Sequence, residues 1–167
     1  MQKLHRPRDK WRDVVFGSIV LLVVIADQLT KIWIRANLEV GQTLFDAGIF
    51  RIIRIYNTGA AFGIFRDHNL TLIIVDFIGI AVILFFVLFM RHRWHFLNDM
   101  LVRTGIGLIL GGTIGNLIDR LFIGYVTDFI DFKVWPVWNV ADNMVVIGTI
   151  IVAYCIIFRA GLVKHKE

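Results

Sequence analysis

The chain has 167 residues, of which 57% are hydrophobic and 19% charged, with a mean hydropathy of +0.72. Soluble domains are less apolar and carry about 25% charge, so the composition excludes an ordinary soluble domain and fits long membrane-crossing runs separated by short polar stretches. The net charge of +5 would suit a nucleic-acid binder, but the basic residues cluster beside apolar runs and read as membrane-orientation signals, so no nucleic-acid partner is expected.

In chain order, four spans of about 20 residues are predicted at 14–34, 70–90, 101–121 and 140–158. At a rise of 1.5 Å per residue, ~20 helical residues cross a ~30 Å hydrocarbon core. Helices are required because lipid offers backbone groups no hydrogen-bond partners. The first run is too long for a signal-peptide core and lacks a cleavage site of small residues, so it is expected to remain as an anchor. Between the first two spans, Ile49 to Tyr56 reads IFRIIRIY, a β-branched and aromatic run that favours a strand lying on the membrane surface. Between the last two, Phe122 to Trp138 carries Tyr125, Phe129, Phe132, Trp135 and Trp138, suited to an interfacial belt or to a platform for a lipid-bearing substrate. The fold class expected is therefore an all-α membrane protein, residues 1–167 forming one integral membrane domain of four transmembrane helices with a small β-rich extracytoplasmic platform. Cys155, the single cysteine, makes no disulfide or zinc site and reads as a small packed hydrophobe.

Orientation follows from Lys and Arg. Eleven of the 18 fall in the N-terminal tail, around the connection between spans two and three, or at the C-terminus. The other seven are Lys31, Arg35, Arg51, Arg54, Arg66, Arg120 and Lys133. The positive-inside rule then places both termini in the cytoplasm and the segments from about 37 to 68 and 122 to 139 outside.

Ionisable groups within or beside spans are costly, so each is a functional candidate. They are Asp27, Lys31, Asp76, Arg103, Asp119, Arg120, Asp128 and Asp142. Arg103 lies near the inner face, where it can snorkel, and Asp76 receives no role. Asp27 and Lys31 form a favourable i,i+4 ion pair on the first span, read as structural. On the third span Gly107, Gly111 and Gly115 recur every four residues beside Gly112, a face that lets another helix approach closely. Asn116, Asp119 and Arg120 continue at i, i+3 and i+4 as one polar face at the outer end. Asp128, in YVTDFIDF, and Asp142, in the first turn of a helix capped by Asn139, are fourteen positions apart. A short excursion between spans can bring them together as a general acid–base pair that divides roles, because like charges cannot both ionise cheaply. Each also has a plainer reading, Asp142 as a carboxylate at a helix N-terminus and Asp128 as a turn acid at the interface. No HExxH, paired cysteines, GxSxG or Walker loop is present, and the only serine, Ser18, lies towards the cytoplasmic side, so no metal and no cofactor is expected. A small proton-coupled membrane transporter, using the same acids as a relay, is the alternative. Their clustering at one boundary rather than along a path argues against it. A non-catalytic assembly factor would leave the acids dispensable.

Taken together, DQLTK (27–31), YNTGAAFG (56–63), GGTIGNLIDR (111–120) with VTDFIDF (126–132), and WNVADN (138–143) resemble the lipoprotein signal peptidase family, signal peptidase II. The resemblance covers essentially the whole chain, with the blocks in family order. It implies a membrane aspartic endopeptidase of the bacterial cytoplasmic (inner) membrane, with its active site near the outer face. Such an enzyme removes the signal peptide from diacylglyceryl-modified prolipoproteins, cleaving before the lipidated cysteine. By the same resemblance the catalytic acids fall on Asp128 and Asp142, and supporting or substrate-binding roles on Asp27, Lys31, Asn57, Asn116, Arg120 and Asn139. Gly59 joins them within TGAAFG, whose small residues let backbone approach a peptide. Membrane lipid and globomycin-like cyclic peptide inhibitors are further implied partners. Two positions depart from the common pattern: Thr127 stands where valine is frequent, and Asn143 where serine or threonine is. They bear on hydrogen bonding and pKa values rather than on reaction class.

Overall fold

The computed structural model describes residues 7–59, 68–90 and 93–159. The element order is α1 (Pro7–Asn37), β1 (Thr43–Asp46), β2 (Arg51–Asn57), α2 (Asn69–Phe85), α3 (Met100–Phe122), β3 (Val126–Asp131) and α4 (Val140–Tyr154). The last turns of the second and fourth spans widen to π-helical bonding over Phe86–Met90 and Cys155–Arg159, and a short 3₁₀ turn, His95–Asn98, leads into α3. Among the described residues, four helices are long and apolar enough to cross a membrane: Lys10–Asn37, Asn69–Met90, Met100–Phe122 and Val140–Phe158. The predicted spans fall inside these bounds. At 31 residues α1 is ~46 Å long, more than a hydrocarbon core requires, so it tilts or extends past the boundary.

α3 is the centre of the bundle, packed against each of the other three helices. Its composition explains this. Gly107, Gly111 and Gly115 lie against α1, where a Cβ at Gly111 would stand 2.7 Å from Val23 Cβ. Gly105 and Gly112 lie against α4, where a Cβ at Gly112 would strike the Ala141 carbonyl oxygen. The expected single glycine face is thus two seams, because a helix at 3.6 residues per turn places positions 111 and 112 about 100° apart. Gly148 answers from α4, with Gly105 O in the space its Cβ would take.

At the far end of the bundle from Pro7, the three strands form an antiparallel sheet in the order β1-β2-β3. The predicted strand is β2, shifted by one or two residues. β1 and β3 complete the expected platform. Ile34 and Leu38 of α1 pack on Phe129 of β3, with Ile52, Ile130 and Val140 around them. Arg54 reaches from β2 to the end of α1, donating through Nη1 to Arg35 O (3.0 Å) and Leu38 O (2.7 Å). Those carbonyls lie where a helix runs out of intrahelical donors. At the opposite end Cys155 packs with Leu97 and Val102, the packing role expected of it. Arg103 differs from expectation. Its side chain is buried rather than snorkelling, pairing with Asp13 of α1 (2.5 Å) and donating to Leu97 O (3.2 Å). A buried guanidinium with a carboxylate at the bundle's edge and a backbone carbonyl as partners is compensated where it lies.

Candidate active site

The approach of Asp128 to Asp142 begins with two short turns. α3 ends at Phe122, and Gly124 adopts φ +86°, the left-handed conformation that closes a helix. The Asp119 carbonyl accepts from Ile123 N (2.9 Å) and Gly124 N (3.2 Å), while its Oδ2 accepts from Thr127 N (2.9 Å). The chain reverses within four residues and enters β3, where Asp128 stands opposite Ile55 of β2. The second turn returns the chain through Lys133 (φ 62°) to Trp138, whose backbone pairs with Ile130. The next residue, Asn139, caps α4. Its side chain accepts from Asp142 N (3.0 Å) while Asp142 Oδ2 accepts from Asn139 N (3.2 Å), a capping box.

Asn139 also joins the two acids. Its Nδ2 donates to Asp128 Oδ1 (2.7 Å) and to Asn116 Oδ1 (3.1 Å). Asn116 Nδ2 in turn donates to Asp142 Oδ1 (2.8 Å). Asn57 Nδ2 donates to Asp128 Oδ2 (2.8 Å), and Gly59 N donates to Asn57 Oδ1 (2.9 Å), fixing that amide's orientation. All four carboxylate oxygens therefore have a donor. Burial first, and the charge of Asp142 second, push the Asp128 carboxyl up to about 7, against the opposing effects of Asn57, Asn139 and Lys31.

Behind this layer lies a buried ionic cluster. Lys31 Nζ meets Asp27 Oδ2 (2.8 Å), Asn116 Oδ1 (2.9 Å) and Asp119 Oδ2 (3.5 Å), and Asp27, Lys31 and Asp119 are fully buried. Arg35 Nη1 reaches Asp119 Oδ1 (3.2 Å) and Thr127 Oγ1 (3.1 Å). Asp27 Oδ1 accepts from Ala141 N (2.9 Å), in the first turn of α4. One carboxylate on α1 thus satisfies an orphan donor of the helix that carries Asp142.

A cavity of about 840 Å³ opens over the two acids. Asn57, Gly59, Asn116, Arg120, Asp128 and Asp142 contribute to its wall, with apolar surface from Ile55, Val126, Trp135, Trp138, Val145 and Val146. Of the nine residues singled out in the sequence, these six line the cavity, while Asn139, Asp27 and Lys31 stand behind the wall and hold it. Ala60 to Gly63 of the YNTGAAFG block lie outside the described residues. The polar trio on α3 does not act as one face. Asn116 and Asp119 both meet Lys31 of α1, Asn116 also donating to Asp142, while Arg120 turns to Asp76 of α2 at 2.8 Å. Thr127 belongs to Arg35 and not to the acid pair, as strand alternation requires of the neighbour of Asp128. Asn143 lines the cavity and donates to Asn139 O (3.2 Å). Sequence reasoning missed Arg35 and gave Asp76 no role. The i,i+4,i+8 series Asp27–Lys31–Arg35 was a usable signal for the first.

A profile of the signal peptidase (SPase) II family matches residues 19–158. A lipoprotein signal peptidase of Dehalococcoides mccartyi is 43% identical over 139 residues, covering 83% of this chain and 86% of that protein. One from Moorella thermoacetica is 39% identical over 147 residues, covering 87% and 95%. A bacterial membrane enzyme solved by the in meso method at 2.3 Å resolution superposes with a TM-score of 0.79 at 28% identity, over 92% of this chain and 93% of that one. With matching blocks, four apolar helices and this likeness over nearly its full length, the chain belongs to the signal peptidase II family and is a multi-pass membrane peptidase.

Proposed function

We propose that this peptidase is an aspartic endopeptidase that removes signal peptides from diacylglyceryl-modified prolipoproteins, cutting before the lipidated cysteine, with Asp128 and Asp142 as its catalytic acids. The observation that carries the reading is the bridge through Asn139. Its side-chain Nδ2 donates to Asp128 Oδ1 and its backbone N to Asp142 Oδ2, so one residue holds carboxylates from two separate elements on the wall of one cavity. Two such acids share a proton. Asp128, pushed up to about 7, carries it in about half the molecules at neutral pH, and in that form Asp142 serves as the base. Asp142 takes a proton from a water as its oxygen attacks the scissile carbonyl carbon, and Asp128 gives its proton to the carbonyl oxygen. Collapse of the resulting diol breaks the C–N bond. Asp142 returns its proton to the leaving nitrogen, and Asp128 recovers one from the hydroxyl.

Asn57, Gly59, Asn116, Arg120 and Asn139 are substrate-binding or supporting residues in this reading, with Asp27 and Lys31 behind them. The apolar part of the wall suits lipid chains, and globomycin-like cyclic peptides would occupy the same cavity. The basic asymmetry supports a cytoplasmic position for both termini and a site near the outer face of a bacterial cytoplasmic membrane. Among the described residues, no group of three or more His, Cys, Asp or Glu is arranged to hold a metal.

The test is cleavage of a lipidated prolipoprotein, and of its unlipidated form, by purified protein. Asp128→Asn and Asp142→Asn are each expected to abolish cleavage in a folded protein, with the lipidated form strongly preferred. Substantial turnover by either variant removes the assignment.

A further inference from the structure

Asp76 is an ionisable group inside a span, and the mechanism above gives it no task. It lies seven residues beyond the start of α2, ~10 Å along the helix axis, where an uncompensated charge is costly. Its Oδ2 accepts from Arg120 Nη1 at 2.8 Å, and the two side chains are only 16% and 10% exposed. α2 touches Arg120 a second time, since Asn69 Nδ2 donates to the Arg120 carbonyl (3.1 Å). Arg120 also forms part of the cavity wall beside Asp128 and Asp142. A guanidinium is a rigid planar fork, so holding one nitrogen fixes the aim of the others.

The pair also sets a charge balance. Asp76 faces Arg120 from α3 and lies within electrostatic reach of Asp142 on α4. Lys31 from α1 acts on Asp128, Arg120 from α3 shares the cavity wall with both acids, and the neutral Asn57 donates from β2. With Asp76 absent, the positive charge of Arg120 would act unopposed on the two acids and favour loss of their shared proton.

We propose that Asp76 is a positioning residue for the cleavage reaction, holding the Arg120 guanidinium against the cavity wall and offsetting its charge beside Asp128 and Asp142. The inference rests on the aspartic reading of the site. Among the described residues the Asp76 carboxylate hydrogen-bonds to Arg120 and to neither acid, so it acts through Arg120.

The experiment compares wild type, Asp76→Asn and Asp76→Glu, purified in detergent, by thermal stability and by rate against pH and substrate concentration on a lipidated prolipoprotein. Asp76→Asn is expected to fold, to raise KM several-fold, and to move the alkaline limb of the pH profile down by about one pH unit, the scale of one nearby charge at partial burial. Asp76→Glu keeps the charge and is expected to keep the limb at its wild-type position. An Asn variant with wild-type KM and pH profile overturns the proposal. So does one that fails to fold while Asp76→Glu behaves as wild type, since the pair would then serve stability alone. Turnover by Asp128→Asn or Asp142→Asn would instead strike the aspartic reading itself, which separates the two failures.

Discussion

Lys31→Met is the perturbation that most directly questions the layer behind the acids. Methionine keeps much of the stem volume and removes the ammonium that Asp27 (2.8 Å), Asn116 (2.9 Å) and Asp119 (3.5 Å) share. Removing one partner of a buried pair costs about 3–5 kcal/mol, because the other charge stays buried without compensation. Asp119 retains Arg35 at 3.2 Å, and Asp27 retains Ala141 N at 2.9 Å, so the effect belongs in that range rather than above it. At roughly 2–4 °C per kcal/mol for a chain of this size, the melting temperature should fall by about 10 °C. Asn116 also loses a donor that holds its carbonyl, so its Nδ2 no longer points reliably at Asp142 and cleavage should fall with stability. The assay is thermal and chemical unfolding in detergent for Lys31→Met, Asp27→Asn and the double variant. Removing both charges should be milder than the sum of the single losses, with a coupling of about 2 kcal/mol. A single variant within about 1 kcal/mol of wild type, or a strictly additive cycle, would refute the claim that this cluster holds the bundle end together.

Asp128→Asn should change how stability depends on pH. A raised carboxyl means the fold favours the protonated form, so this stability is fully present below about pH 4 and is lost as pH rises to about 7. The Asn variant should therefore gain a few kcal/mol on wild type across that window, and a pH-independent difference in melting temperature would show that Asp128 is not raised. Gly112→Leu should disrupt the α3–α4 seam, since even a Cβ meets the Ala141 carbonyl, and Gly115→Leu should disturb Asp27, whose Oδ2 lies 2.6 Å from the Cβ position; unchanged stability in both would place these glycines against lipid. In intact cells, cysteines at positions 3 and 166 should be shielded from an impermeant thiol reagent while one at position 46 labels, and labelling of either terminus would reverse the orientation. Cleavage should survive strong chelators, and activity lost on chelation and restored by zinc would replace the metal-free mechanism.

Helix number and placement were legible because they depend on local quantities. A run of ~20 apolar residues must be a helix in lipid wherever it sits in the fold. The Asn139 cap and the place of Asp142 in the first turn of α4 were legible for the same reason, being set within four residues. The convergence of Asp128 and Asp142 was suggested by their spacing and made specific by the neighbouring motifs, yet spacing gave no hint that Asn139 is the bridge. Other assignments needed the third dimension. Asn116, Asp119 and Arg120 share a stretch of helix, but the first two meet Lys31 of α1 while Arg120 meets Asp76 of α2, because α3 is surrounded and different directions from it meet different elements. For the same reason its glycines divide between α1 and α4. Arg103 seemed free to reach the interface until the half-exposed Asp13, 90 residues away in sequence, supplied its counter-charge. The sequence by itself determined which groups are costly in a membrane. Only the tertiary structure decided which of them compensate one another, since hydrogen bonds and ion pairs act over about 3 Å in space, whatever the distance along the chain.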